Sequence, residues 1–287
     1  MGKSMSGIKD VSDTALWVAV HRACEGTRPD ALYKDPLSLK LAGPRGEQIA
    51  KKMAGGDFMS WMMAMRTVAI DNMIISAVNS GITRIVNLGA GLDTRPYRLK
   101  LSVQVSWLEV DFPGLIDHKN NLLKSEMPLL PLTRVGVNLT DLNERQRFFD
   151  ELNATNEPTL ILTEGVLPYL SNPDVESLAK SLHQLSCVKY WVHDYRQGGY
   201  ASGIPKLWIM WRMRHAQMVF KVENWFQYFA GLGWKVKEST TLKEESDRCG
   251  RSIGRPDWFG LFSFIIPPER MDAYSRQLGV VMLEKAT

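Results

Sequence analysis

Five short apolar runs between residues 84 and 196, separated by stretches with helical spacing, restrict the fold of this chain more than any other feature. The runs lie in "TRIVNLGAG", "VQVSWLEVDFP", "PLTRVGVNLTD" (around Thr133–Val137), "EPTLILTEGVL" and "VKYWVHDY". A continuous apolar run suits a parallel strand covered on both faces. The clearest intervening helix is "NPDVESLAKSLHQLS", where Asn172 can cap, Pro173 takes the first turn, and Val175, Leu178, Leu182 and Leu185 form an apolar stripe. "GWKVKEST" and "QLGVVMLEK" add a sixth and a last strand. Strands alternating with helices predict an α/β fold with a doubly wound, mostly parallel, seven-stranded sheet. Ligands of such a sheet bind at the carboxyl ends of its strands. Gly89–Gly91, Asp111, Asn138 and Glu164 then share one rim, a convergence more specific than the Gly-x-Gly pair alone.

The flanking regions complete one domain. Residues 1–60 read as an N-terminal helical lid. Within it "SDTALWVAVHRACEG" is capped by Ser12 or Asp13, "YKDPLSLKLAG" is broken by Pro36, and "AGGDF" is a loop. A long helix is expected from Ser60 to the stop at Gly81, opening the cofactor core of residues 61–195. Residues 196–224 carry Trp, Met and basic side chains, with no acid between Asp194 and Glu223, and read as an inserted helical cap. Residues 225–287 return to the sheet, and "WFGLFSFII" is ambiguous between strand and helix.

A net charge of +4 over 287 residues is too small for a dedicated nucleic-acid binder and permits one basic pocket. Cys24, Cys187 and Cys249 are scattered, which argues against zinc and a disulfide framework. No apolar stretch reaches the roughly 20 residues of a membrane span. No signal-peptide core is present, so a cytoplasmic protein is expected. The myristoylation-like "MGKSMS" and the sequons at Asn138 and Asn153 are short patterns that recur by chance.

Asp111 follows Gly89 by 22 residues, where a carboxylate can hold ribose hydroxyls of NAD or of S-adenosylmethionine. The turn separates the two. A dinucleotide turn wants a third glycine for close approach of the pyrophosphate, and this chain has Arg95 there, with Asp93 beside it. S-adenosylmethionine has no phosphate and carries a sulfonium and an ammonium, which tolerate carboxylates at the rim. An NAD(P)-dependent oxidoreductase is thereby disfavoured. A cofactor-binding pseudo-enzyme is opposed by the retained Gly89, Gly91, Asp111 and Glu164.

"VNLGAGLDTRPYRL", "WLEVDFPGLIDHK" and "LTEGVLPYL", with "MRTVAID" upstream, resemble the leucine carboxyl methyltransferase family of class I S-adenosylmethionine-dependent enzymes, and "HRACEG…PDALYKDPLSLKLAG" resembles its bacterial polyketide-type O-methyltransferase branch. The resemblance implies S-adenosyl-L-methionine as cofactor. It implies that Gly89, Ala90 and Gly91 form the turn under the methionine moiety, that Asp111 holds the ribose, and that Phe112 lies against the adenine. Asn138 and Leu139 would edge the adenine, the Asn138 oxygen accepting from its amino group. Glu164 would face the ammonium and Arg66 would clamp the carboxylate, with Arg22 assisting. Asp93 reads as a structural cap more than a contact.

Methyl transfer from a sulfonium asks mainly for alignment and exclusion of water. An ionised carboxylate acceptor needs no base, whereas a phenol benefits from one. His193 and His183 read as structural. Tyr169, Tyr195 and Arg196 lie on the expected rim and suit orientation of an acceptor. The expected partner is a small molecule, anionic or aromatic, methylated on a carboxylate or hydroxyl. A protein C-terminal carboxylate or a modified tRNA base is the alternative.

Overall fold

The computed structural model describes residues 11–53, 56–197, 218–253 and 268–286. Their helices are α1 (Val11–Glu25), α2 (Pro36–Lys52), α3 (Gly56–Asn79), α4 (Arg95–Arg98), α5 (Pro113–Leu123), α6 (Leu142–Ala154), α7 (Asn172–Gln184), α8 (Trp225–Ala230), α9 (Leu242–Arg248) and α10 (Pro268–Ser275). The strands are β1 (Arg84–Leu88), β2 (Ser106–Asp111), β3 (Leu132–Gly136), β4 (Thr159–Thr163), β5 (Val188–Arg196), β6 (Trp234–Thr241) and β7 (Leu278–Lys285).

They form a seven-stranded sheet in the order β3-β2-β1-β4-β5-β7-β6. Strands β1 to β5 are parallel, with Arg84 in register with Ser106 of β2 and Thr159 of β4. β7 inserts antiparallel between β5 and β6. The order reverses at β1 and β4, and a crevice opens at their carboxyl ends, the expected ligand position for an open α/β sheet.

Although every residue of β1 and β4 is buried, alternation still sorts their side chains between the two faces. Ile85, Leu160, Leu162 and Val192 face the apolar stripe of α3, formed by Ala69, Ile70, Met73, Ile74 and Ala77. Val86, Leu88, Ile161 and Trp191 face α6, α7 and α8 through Phe148, Phe149, Leu178, Leu182 and Phe229. α3 thus runs buried across the sheet, and its N-terminal half passes over the crevice.

Local expectations are corrected in three places. Pro36 starts α2 instead of breaking it, because Asp35 caps the helix by accepting from the Ser38 N–H at 3.1 Å. The break falls at Gly43, whose φ of 56° precedes Pro44. "AGGDF" is not wholly a loop, since α3 begins at Gly56. Ser171, not Asn172, caps α7, accepting from the Asp174 N–H at 3.3 Å. Most of the expected helical cap (198–217) and "WFGLFSFII" (258–266) lie outside the described residues. Among the described residues no helix is long and apolar enough to cross a membrane, and no group of three or more His, Cys, Asp or Glu side chains could hold a metal.

Candidate active site

The crevice floor is the turn Gly89–Asp93. The N–H groups of Gly89 and Ala90 both donate to the Val110 carbonyl, at 2.8 and 3.1 Å, which folds the turn onto the end of β2. Gly89 has φ +68°, and a Cβ there would strike Val166. Glycine is required at this position by conformation and by space together. Gly91 also has positive φ, and α1 reaches it through Ala15.

Asp111 ends β2 beside this turn. One carboxylate oxygen accepts from the Gly91 N–H and the other from the Phe112 N–H, both at 2.7 Å. Burial pushes its carboxyl above the ordinary range, and the two N–H groups only partly oppose this. Each oxygen keeps a lone pair, so a diol could still be held there. Phe112 caps α5 and is 47% exposed, leaving its ring open to a flat ligand.

Asn138 does not offer what the resemblance implies. Its side-chain oxygen accepts from the Thr140 N–H at 3.0 Å and the Thr140 hydroxyl at 2.7 Å. An adenine amino group would have to displace one of them, so the amide Nδ2 is the end left for a ligand. Leu139 packs against the core beside it.

Arg66 and Glu164, expected to bind opposite ends of an amino acid, are brought together and bind each other, with Nη2 and Oε1 2.8 Å apart. A second guanidinium completes the group. Arg95 is fully buried and pairs with Glu164 and Asp93 through Nη1, at 2.7 and 2.6 Å, and with Asp71 of α3 through Nε at 2.6 Å. Arg98 also binds Asp71, at 2.6 Å. Burial pushes the Glu164 carboxyl up, but Arg95 and Arg66 outweigh it and hold it at about 2. Burial likewise pushes Asp93 up, and Arg95, Arg22 and Lys119 overturn this to hold it well below the usual range. Asp93 also accepts from the Asn87 amide and the Arg95 N–H, at 2.8 and 2.9 Å, a structural role, though the cap position of α4 itself is Thr94 and not the Asp93 expected.

Arg95 therefore does not crowd the turn. It points inward and supports Glu164 from behind. Arg22 of α1 donates to the Leu92 carbonyl and lies 3.7 Å from Asp35, so it fastens α1 to the turn.

Beyond Arg66 lies a cavity of about 170 Å³, lined by Met62, Asp194, Tyr195, Arg196, Trp225 and Tyr274, among others. Tyr195 and Arg196 both line it, and Arg196 sits over the Tyr274 ring at 5.2 Å. Tyr169 is not among the lining residues. It packs with Trp17, Ile49 and Met53, and its hydroxyl bonds to Thr14 of α1. Its apolar ring is better buried against α1 than exposed in the cavity.

Asp194 is the residue sequence reasoning passed over. It accepts from the Gly165 N–H at 2.6 Å and lies 3.6 Å from Arg66. Its signal was a carboxylate inside the apolar run "YWVHDY". His193 next to it is structural as expected, buried among Trp191, Trp225 and Phe229.

Residues 15–183 match the family described as leucine carboxyl methyltransferase. The chain belongs to this family. A protein of Frankia alni, provisionally named an S-adenosyl-L-methionine-dependent methyltransferase, is 28% identical over 268 residues, which is 85% of this chain and 88% of that one. A similarly named protein of Rhodococcus jostii is 29% identical over 284 residues, covering 89% and 91% of the two chains. Among solved structures, a provisionally assigned methyltransferase from Thermobifida fusca aligns over 98% of this chain and 96% of its own, with a TM-score of 0.56 at 13% identity. A DUF574 family protein from Streptomyces avermitilis aligns over 93% and 96%, with a TM-score of 0.52 at 12% identity. The fold is that of class I S-adenosylmethionine-dependent methyltransferases.

Proposed function

We propose that this protein is an S-adenosylmethionine-dependent O-methyltransferase acting on a small molecule. The observation that carries the reading is the position of the cavity. It adjoins Arg66, and Arg66 in turn is paired to Glu164 beside the Gly89 turn. A cofactor held by its amino acid at Arg66 and Glu164 has an acceptor chamber next to it.

The residues present fit that cofactor. Arg66 and Glu164 are an ion pair whose two halves match the carboxylate and ammonium of a zwitterion, so binding exchanges one neutral pairing for another. Asp111 has lone pairs for a ribose, and Phe112 has an open ring face for adenine. When bound, S-adenosylmethionine supplies an activated methyl group on a sulfonium. The protein's part is to orient the acceptor and keep water out. Tyr195, Phe220, Trp225 and Tyr274 supply apolar walls, and Arg196 and Lys221 supply positive charge for an anionic group on the acceptor. The modest cavity favours a small acceptor over a folded protein terminus or a tRNA.

Calorimetry with S-adenosylmethionine, S-adenosylhomocysteine and NAD tests the cofactor. Binding of the first two and not of NAD is expected, and tight NAD binding would refute the reading. Labelled methyl transfer into cell extract, fractionated by size, tests the acceptor. Label is expected in the small-molecule fraction, and label confined to protein or RNA would reject a small acceptor.

A further inference from the structure

We propose that Asp194 takes the proton of the group being methylated, so that the acceptor presents a hydroxyl, not a carboxylate, to the methyl donor. This rests on the methyltransferase reading above. Among the described lining residues, Asp194 is the acidic one. Its Oδ1 is anchored by the Gly165 N–H at 2.6 Å, while Oδ2 stands 3.6 Å from Arg66, beyond hydrogen-bond range. The carboxylate is thus fixed in direction and retains capacity to accept from a ligand.

Local charge gives the second argument. Asp194 is the acidic side chain among the described lining residues. A hydroxyl can donate to its carboxylate, whereas an acceptor carboxylate placed against it would be repelled at a desolvated site. The third argument is basicity. Burial raises the Asp194 carboxyl, with Arg66 and the Gly165 N–H opposing it and Glu164 adding to it. Arg66 and Glu164 face Asp194 from α3 and the end of β4, as does Tyr169 from the following turn. Arg196 lies two residues on along β5, on the same face and roughly 7 Å away by strand geometry, and Lys221 lines the same cavity. These cations suit an anionic group at the far end of a hydroxylated acceptor.

In the step, the acceptor oxygen bonds to the methyl carbon as the carbon–sulfur bond breaks, with that electron pair remaining on sulfur. The hydroxyl proton passes to Asp194 Oδ2 and is then released to solvent. The products are a methyl ether, S-adenosylhomocysteine and a proton.

The test uses the full chain and Asp194→Asn, whose amide oxygen still accepts from Gly165, so the fold is kept. Tritiated methyl from S-adenosylmethionine is transferred into the small-molecule fraction of cell extract, and the product is treated with alkali. Label resistant to alkali, as in an ether, is expected. Asp194→Asn should slow transfer at least 30-fold at pH 7, with the deficit closing as rising pH ionises the acceptor itself. Its affinity for S-adenosylhomocysteine should stay within threefold of wild type. A carbon-13 titration of the ligand-free protein should place the Asp194 carboxyl above the ordinary aspartate range. Release of label as methanol, as from an ester, would overturn the inference and leave the methyltransferase reading intact. So would an undiminished rate in Asp194→Asn. Absence of any transfer by wild type would overturn that reading, and the inference with it.

Discussion

Arg95 joins three carboxylates that come from three different places in the chain: Asp71 in α3, Asp93 in the turn and Glu164 after β4. Removing one partner from a buried ionic group leaves the remaining charges unpaired and costs roughly 3–5 kcal/mol. Arg95→Ala is therefore expected to lose about that much in urea denaturation. Arg95→Lys keeps the charge but lacks the planar fork that serves three acceptors, and a loss of about 2 kcal/mol is expected. A Lys variant as stable as wild type would show that the fork geometry is not what matters. Asp111 carries a different expectation, on binding instead of stability. Asp111→Ala should weaken S-adenosylhomocysteine binding more than tenfold by calorimetry, and an unchanged affinity would remove the ribose assignment. Asp111 and Glu164 could be read from the sequence because each follows an apolar strand. Arg95 could be read only as bulk and charge where a glycine is wanted. The convergence of three acids on it depends on tertiary placement that no local spacing encodes.

At the scale of elements, the row Tyr195–Gly279–Thr241 crosses β5, β7 and β6 at the edge that forms the cavity. Gly279 has no side chain, and the Tyr195 ring lies over the vacant position. A Cβ on Gly279 would meet the Tyr195 ring carbon and hydroxyl at 2.6 Å and would also strike the Thr240 carbonyl. Backbone cannot yield as a flexible side chain does, so Gly279→Ala is expected to destabilise by roughly 1–3 kcal/mol. It should also displace Tyr195 and so alter the cavity, while cofactor affinity, which depends on the far side of Arg66, stays near wild type. A thermal melt and a calorimetric titration of the same variant check both halves. The strands themselves were legible because a parallel sheet covered on both faces needs continuous apolar runs, and β1 and β4, buried throughout, come nearest to them. Their order, and the antiparallel insertion of β7 between β5 and β6, were not. Hydrophobic period reports which face a residue takes, not which strand lies next to it. Position after β4 does put Tyr169 close to Arg66 and Asp194, while its ring packs with Trp17 of α1 instead of lining the cavity, a tertiary contact that no local spacing encodes.

Across the whole molecule, the buried ionisable groups set how stability responds to acid. Burial lowers the pKa of His193 to about 3 and that of His21 to about 4, against an ordinary value of 6.5. Between those limits the unfolded chain binds protons that the folded chain refuses, so stability falls as pH falls. Each histidine contributes a slope of at most about 1.4 kcal/mol per pH unit in its window. Glu164 behaves with the same sign but at lower pH. Its stabilising pairing with Arg95 and Arg66 is fully present above the ordinary glutamate range and is lost as pH drops toward about 2. Asp111, Asp194 and Glu245 act in the opposite sense, since burial raises each, and they soften the decline once the pH approaches their range. The histidines therefore supply a falling limb that begins below pH 6.5, and the raised carboxyls oppose it. His193 is enclosed by Trp191, Trp225 and Phe229, and its Nδ1 lies 3.2 Å from the Asp194 carbonyl. Replacing it by an apolar side chain removes its titration while keeping most of the packing. Urea midpoints measured from pH 7 to 5 should fall for the wild type and fall less steeply for His193→Leu. The single variant need not match wild type at pH 7, because the packing loss is independent of pH. It is the difference between the two slopes that reports the proton. Equal slopes would mean that His193 is charged in the folded state, in contradiction with its burial among three aromatic rings.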